Sequence, residues 1–256
     1  MTGVALRPLS VGEIIDASFQ VYRRHFSALA MIVLVCSGIP MLIQIYARAV
    51  GGVHWALTLL YILLAVVLGL IATGATVFVV SESYLGRRIT AREALARATP
   101  FVLPMILASL AVGLVVFLGF VLLVVPGVVA ICGLALTIPA LVVESLQPSA
   151  AMGRSWALTR GHRLRMLALF FVIFILLVVP YLAVMSVFGV VAAVVSAGGA
   201  KTAGGAILLV GVVLAAIAQL LLSPLYQAAL VITYYDLRVR KEGFDLEVLA
   251  SSLQAA

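Results

Sequence analysis

The chain has 256 residues, 65% of them hydrophobic and only 10% charged, with a formal net charge of +7. So few polar side chains cannot cover a water-soluble globule of this length, which excludes a soluble enzyme or binding domain. The basic excess does not point to nucleic acid either, because the arginines flank apolar runs instead of gathering on a soluble patch, as expected beside anionic lipid headgroups.

The first element in chain order is an amphipathic helix. Val11, Ile15, Phe19, Tyr22 and Phe26 recur at three- and four-residue spacing and make one apolar face, with Glu13, Asp16, Gln20 and Arg23 on the other side. Ser10 fits an N-cap, and Glu13 three residues later completes a capping box. Such a helix can lie in the interface plane with its apolar face below the headgroups, or it can pack on a membrane bundle as an elbow. No cleavable leader is expected: the first apolar run starts only near Phe26 and lacks a small-residue cleavage site.

Six apolar segments follow, at about 26–46, 54–80, 101–125, 128–146, 165–196 and 204–235. A span needs about 20 apolar residues, and five segments meet that length. The fourth is short, since Val128 to Val143 rises about 24 Å as a helix. It therefore reads either as a full span or as half of a re-entrant hairpin with the third. Val125-Pro126-Gly127-Val128 reads as the turn between them, and Thr90 with Glu93 repeats the capping signature at a second elbow. Pro40, Pro104, Pro139, Pro180 and Pro224 predict a kink in every segment except the second. Gly189-Ala193-Ala197 and Gly211-Ala215 allow close helix approach, either between the fifth and sixth helices or in a seam with a second copy or another membrane protein. Cys36 and Cys132, both inside apolar runs, read as small buried hydrophobes and not as a disulfide.

All nine acidic residues and fourteen of the sixteen Lys and Arg residues fall in four of the seven polar stretches: the N-terminus to about Phe26, 81–100, 144–165, and the tail after Tyr235. The other three gaps hold only Arg48, only Lys201 and, at Pro126-Gly127, no charge. Charged and bare gaps alternate, so the positive-inside bias predicts a multi-pass protein of the cytoplasmic membrane with both termini inside.

An internal repeat underlies the alternation. Ser18-Phe19-Gln20-Val21-Tyr22-Arg23-Arg24-His25 matches Ser155-Trp156-Ala157-Leu158-Thr159-Arg160-Gly161-His162 at an offset of 137, and Ala94-Leu95-Ala96-Arg97-Ala98 matches Ala151-Met152-Gly153-Arg154-Ser155 at an offset of 57. The expected fold is an all-α integral membrane protein of six transmembrane helices, one membrane domain over 1–256. It divides into three repeats of amphipathic elbow plus membrane hairpin, at about 9–80, 89–146 and 148–235, with a cytoplasmic tail over 236–256.

Groups able to do chemistry are scarce. His25 and His162 stand beside arginines at elbow ends, and His54 is expected on the opposite side. There is no paired-histidine zinc motif, no phosphate loop and no Gly-x-Ser-x-Gly elbow. Glu82, Glu144 and Asp236 sit at helix ends, where a carboxylate paired with an arginine is the ordinary arrangement. No catalytic residue, metal or cofactor is expected. Arg23, Arg24, Arg87, Arg88, Arg160, Arg163 and Arg165 are the candidate headgroup contacts, and Phe19, Tyr22 and Trp156 the interface anchors. A rival reading, transport of a small solute, would use the kinked helices and a polar path of Gln219, Ser223 and Gln227.

Several stretches together resemble one bacterial membrane family. They are Arg7-Pro8-Leu9-Ser10-Val11-Gly12-Glu13-Ile14-Ile15-Asp16, Tyr22-Arg23-Arg24-His25-Phe26, Val124-Val125-Pro126-Gly127 and Ile138-Pro139-Ala140-Leu141-Val142-Val143-Glu144. Ala151-Met152-Gly153-Arg154-Ser155-Trp156-Ala157-Leu158-Thr159-Arg160-Gly161 and the tail from Tyr234 to Glu247 complete the set. The chain resembles the glycerophosphoryl diester phosphodiesterase membrane-domain-like family, related to the uncharacterised YciC-type inner-membrane proteins. In that phosphodiesterase a similar membrane module is joined to a separate soluble catalytic domain. Only residues 236–256 follow the last span here, so the resemblance implies a membrane module and carries over no catalytic residue. The function expected is that of a membrane scaffold or lipid-associated accessory module, whose partners are the bilayer and its anionic headgroups.

Overall fold

The structure is a computed structural model and describes residues 7–50, 55–84 and 86–243; His54 and the tail beyond Gly243 lie outside the described residues. All regular structure among them is helical. The helices are α1 (Val11–Arg24), α2 (Phe26–Val50), α3 (Trp55–Tyr84), α4 (Ala91–Ala98), α5 (Val102–Leu122), α6 (Val124–Leu134), α7 (Thr137–Val143), α8 (Pro148–Thr159), α9 (Arg163–Ala197) and α10 (Lys201–Glu242), with a single 3-10 turn joining α4 to α5. Six stretches are long and apolar enough to cross a bilayer: Phe26–Gln44, Trp55–Tyr84, Ala91–Leu122, Val124–Val143, Arg163–Ala197 and Lys201–Glu242.

These helices are amphipathic in the inverted sense. On α5, Leu103, Leu107, Leu110, Leu114, Phe117 and Val121 form an exposed stripe at helical spacing, while Met105, Ala108 and Gly119 turn inward. A continuous exposed apolar surface of this kind marks a face that meets lipid.

The chain divides into two compact units, residues 1–166 with 224–256, and residues 167–223. In the first, the second half of α3, from Gly74 to Tyr84, and the stretch of α10 from Leu225 to Val239 are buried nearly all round, as a helix in the centre of a bundle must be. Tyr84 stacks on Tyr235 with ring centroids 4.9 Å apart, and Tyr234 meets Tyr235 edge-on. A smaller core joins Leu29 and Ile32 of α2, Ala75 and Val79 of α3, and Ala94 and Ala98 of α4.

The turn between the third and fourth segments is not where the sequence places it. Leu123 alone, with extended φ −170° and ψ 161°, links α5 to α6, and Val125-Pro126-Gly127 lies inside the first turn of α6. A first turn does not use its amides, so Pro126 is harmless there. The reversal is tight because two glycines face each other: a Cβ on Gly127 would fall 2.5 Å from the Phe120 ring, and one on Gly119 would fall 2.9 Å from the Gly127 Cα. For the same reason Pro104 and Pro139, in the first turns of α5 and α7, kink nothing. Among the described residues, Pro40, Pro180 and Pro224 are the prolines in helix interiors.

The fourth segment is broken between α6 and α7, and the break is stitched by α8. Ser155 Oγ accepts from the Leu136 amide at 3.1 Å and donates to the Gly133 carbonyl at 2.8 Å; Thr159 Oγ1 reaches the same carbonyl at 3.1 Å. Backbone groups freed by a helix break must find such partners away from water.

The second unit is the hairpin of α9 and α10. A Cβ on Gly204 would collide with Ser196, and one on Gly211 would sit 2.4 Å from Phe188, so Gly204 and Gly211 are what let the two helices touch. Ala192 and Ala215 are buried in this unit, but Ala193 and Ala197 are exposed and Gly189 faces open space. Of the two small-residue stripes, only Gly211-Ala215 therefore serves the intrachain seam.

Candidate functional site

The polar chemistry gathers where the short helices meet the long ones. The first such joint is α1 against α2. Ser10 caps α1 in a full capping box, its side chain accepting from the Glu13 amide while Glu13 accepts from the Ser10 amide. That pairing, with the Arg7 guanidinium added, holds the exposed Glu13 carboxyl down at about 2.

The face that α1 buries is Ile14, Ala17, Ser18 and Val21, which is not the stripe read from the sequence. Val11, Ile15, Phe19 and Tyr22 are half-buried and Phe26 is exposed, with Tyr22 and Phe26 in edge-on contact at 5.5 Å. At about 100° per residue the two sets form adjacent sectors, and Glu13, Asp16, Gln20, Arg23 and Arg24 fill the third. α1 thus buries Ile14 and Val21 with the small Ala17 and Ser18, and leaves its aromatic sector half-buried, with Tyr22 packed partly on the core of α2, α3 and α4.

His25 closes α1. Its carbonyl accepts from the Leu29 amide at 3.0 Å, and its Nε2 lies 2.9 Å from Ser83 Oγ on α3. Burial, then the Arg24 and Arg88 charges, push the imidazole below its ordinary value, so it is neutral at pH 7. Arg23, Arg24 and Arg88 are exposed. Arg87 reaches Glu82 at 3.8 Å, and Arg97 bridges Glu82 and Glu93 at 3.1 and 2.6 Å. Thr90 caps α4 as the sequence suggests, accepting from the Glu93 amide at 3.2 Å.

The joint of α8 and α9 has the same elements in a different economy. Gly161, at φ +86°, makes the turn that a side chain would strain. Trp156 lies over Gly133, with the Arg163 guanidinium 4.1 Å from its ring centroid. Lys241 donates to the Ala157 and Arg160 carbonyls and so caps the end of α8. His162 is lowered by burial first and then by Lys241, Arg240 and Arg165, which outweigh Asp236.

Asp236 is wholly buried. It accepts from the Leu9 amide at 2.6 Å and from Arg240 Nε at 3.0 Å, and forms an ion pair with Arg165 at 3.0 Å. Arg165 and Arg240 also both donate to the Leu9 carbonyl, so the backbone of Leu9 is held from either side. Beside it, Glu144 takes the Arg154 Nε and the Tyr234 hydroxyl, and Arg154 also pairs with Glu242. Arg165, expected at the headgroups, is thus spent inside the protein, while Arg160 is exposed. Neither clamp was visible in the sequence, beyond the rule that helix-end carboxylates find arginines.

The residues of the polar path fall in both compact units, Gln219 and Ser223 in the second and Gln227 in the first. Ser223 is exposed and bonds the Leu220 carbonyl of its own helix at 2.8 Å. Gln219 lines a recess of the second unit with Leu177, Pro180, Tyr181, Val184 and Leu222, and Gln227 in the first unit lies 3.5 Å from Thr73. Among the described residues, no three His, Cys, Asp or Glu side chains form a metal-holding group.

No protein-family model, curated protein or solved structure matches this chain.

Proposed function

We propose that this protein is a non-catalytic multi-pass module of a bacterial cytoplasmic membrane, a scaffold or accessory that associates with lipid, with both termini inside. It would belong beside the phosphodiesterase membrane-domain family that its sequence resembles. The observation that carries the reading is α1: a capped helix seated by Ile14, Ala17, Ser18 and Val21, with the half-buried Val11, Ile15 and Phe19 and the exposed Phe26 on the adjacent sector, next to the exposed Arg23 and Arg24. Large apolar side chains beside free arginines are what an interfacial helix offers to acyl chains and headgroups.

The three-unit organisation is part of the proposal, and burial supports it. Ile14 and Ala151, Ser18 and Ser155, Val21 and Leu158, and Leu29 and Met166 are each 4% exposed or less and each pair keeps the offset of 137. In the middle copy, Ala94 and Ala98 are as deeply buried as Ala151 and Ser155, at the offset of 57.

Purified protein should retain co-isolated anionic phospholipid through detergent exchange, and replacing Phe19 and Phe26 with serine should release most of it. Retention unchanged in that variant would refute the lipid role of α1. Solute transport has less behind it, since Ser223 bonds its own helix and the recess at Gln219 is mostly apolar.

A further inference from the structure

The two joints related by the repeat differ in one respect that bears on ligand binding. At the α8–α9 joint the cations have partners inside the protein: Arg165 and Arg240 hold Asp236 and the Leu9 carbonyl, Lys241 holds two carbonyls, and Arg163 lies on Trp156. At the α1–α2 joint, among the described residues, Arg23, Arg24 and Arg88 form no ion pair within 4.0 Å and are exposed. The carboxylates of that region are engaged elsewhere, Glu13 by Arg7 and Glu82 by Arg97 and Arg87, and Asp16 precedes Arg23 by two turns of α1.

The fold brings Arg24 and Arg88 to one side chain, His25, with Arg23 next in sequence. The His25–Ser83 contact at 2.9 Å seats the end of α1 on the end of α3, at the turn where Gly86 and Arg87 fold back on Ser83 and Glu82 and lead into Arg88. The same joint starts the 25-residue α2, whose first intrahelical bond after the joint is Leu29 to His25. The amides of Phe26, Ser27 and Ala28 therefore precede any intrahelical partner and carry the positive end of the helix dipole. Arginines from two elements, a neutral imidazole and open amides, with no free carboxylate beside them, are the chemistry that recognises a phosphate group.

We propose that Arg23, Arg24, Arg88 and His25 with the start of α2 form one site for the phosphate of an anionic phospholipid. The site rests on the lipid-associated reading above and gives it an address. The adjacent half-buried Phe19 and exposed Phe26 accept the acyl chains of the lipid whose phosphate is held. The α8–α9 joint, in contrast, ties all of its cations but the exposed Arg160 to partners within the protein.

Native mass spectrometry of the full chain in neutral detergent, titrated with phosphatidylglycerol, tests this. The first variant is Arg24→Gln with Arg88→Gln, and the control is Arg92→Gln, an exposed α4 arginine that does not act on His25. Wild type and R92Q should bind one lipid equally, and each site arginine removed should weaken it about tenfold, ~1.4 kcal/mol. Equal weakening by R92Q, or none in the double variant while wild type binds, overturns the site and leaves the lipid reading standing. No retention of phosphatidylglycerol by wild type overturns the lipid reading itself. Calorimetry with inorganic phosphate separates the sources. Binding that depends on Arg24 and Arg88 but is not displaced by phosphatidylglycerol would assign the site to a soluble phosphate and overturn the lipid assignment. Circular dichroism confirms that the variants, exposed on the surface, keep the helical fold.

Discussion

A carboxylate taken wholly out of solvent must be met by charge and by hydrogen bonds, and Asp236 has two guanidiniums and one amide. Removing it strands Arg165 and Arg240, so Asp236→Ala should cost about 3–5 kcal/mol in thermal unfolding in detergent. The histidines act at milder pH. His25 and His162 both sit below their ordinary value of 6.5 in the folded protein, so the unfolded chain takes up protons first as pH falls. Stability should therefore be flat above neutrality and decline below about pH 6.5. His25→Gln with His162→Gln should flatten that decline in a series of melting curves. At this scale the sequence showed that arginines would meet helix-end carboxylates. It could not show that Asp236 holds a backbone 227 positions away, because nothing local encodes such a pairing.

The Ser-Trp-x-Leu-Thr-Arg-Gly run is largely structural, with Ala157 and Arg160 exposed. Ser155 and Thr159 satisfy the α6–α7 break, Trp156 covers Gly133, Leu158 is buried and Gly161 turns the chain. Ser155→Ala should cost about 1–3 kcal/mol, the toll of leaving buried backbone groups short of a partner. Gly133→Ala should cost a similar ~1–3 kcal/mol, because its methyl would fall 2.4 Å from the indole. Gly153→Ala, on open surface of the same α8, should instead stabilise by roughly 0.5–1 kcal/mol through helix propensity. The α5–α6 tip makes a different prediction. Leu122, Leu123, Val124 and Val125 are 68–74% exposed, yet the amides of Val124 and Val125 have no backbone partner among the described residues. Such amides need water, and α5 at about 31 Å is long enough to carry them across the hydrocarbon. A cysteine at Leu123 should react with an impermeant maleimide added outside, and one at Leu114 should not. Periodicity located α1, its cap and an apolar stripe, but not the adjacent Ile14, Ala17, Ser18 and Val21 face that the protein buries, because Ala17 and Ser18 add little to a hydrophobic pattern. Proline position misled in the same way: without the helix starts, Pro104, Pro126 and Pro139 look like breaks.

For the molecule as a whole, the six helices long and apolar enough to cross a bilayer were legible because lipid demands long apolar runs and tolerates little else. The division at residues 166 and 224 was not, since both positions fall within unbroken helices, α9 and α10. The proposed orientation predicts that a cysteine in place of Arg88 is labelled only when the cytoplasmic face is open, and one in place of Gly199, at the turn between α9 and α10, only from outside. The clamp on Leu9 bears on how the chain is made. Its three holders, Arg165, Asp236 and Arg240, are translated long after Leu9 has left the ribosome, and domains emerge N-terminal first. The leading segment therefore waits, unfastened, until the last helix is inserted. A nascent chain arrested before Asp236 should be cut readily by protease near Leu9, and completion of α10 should close that window.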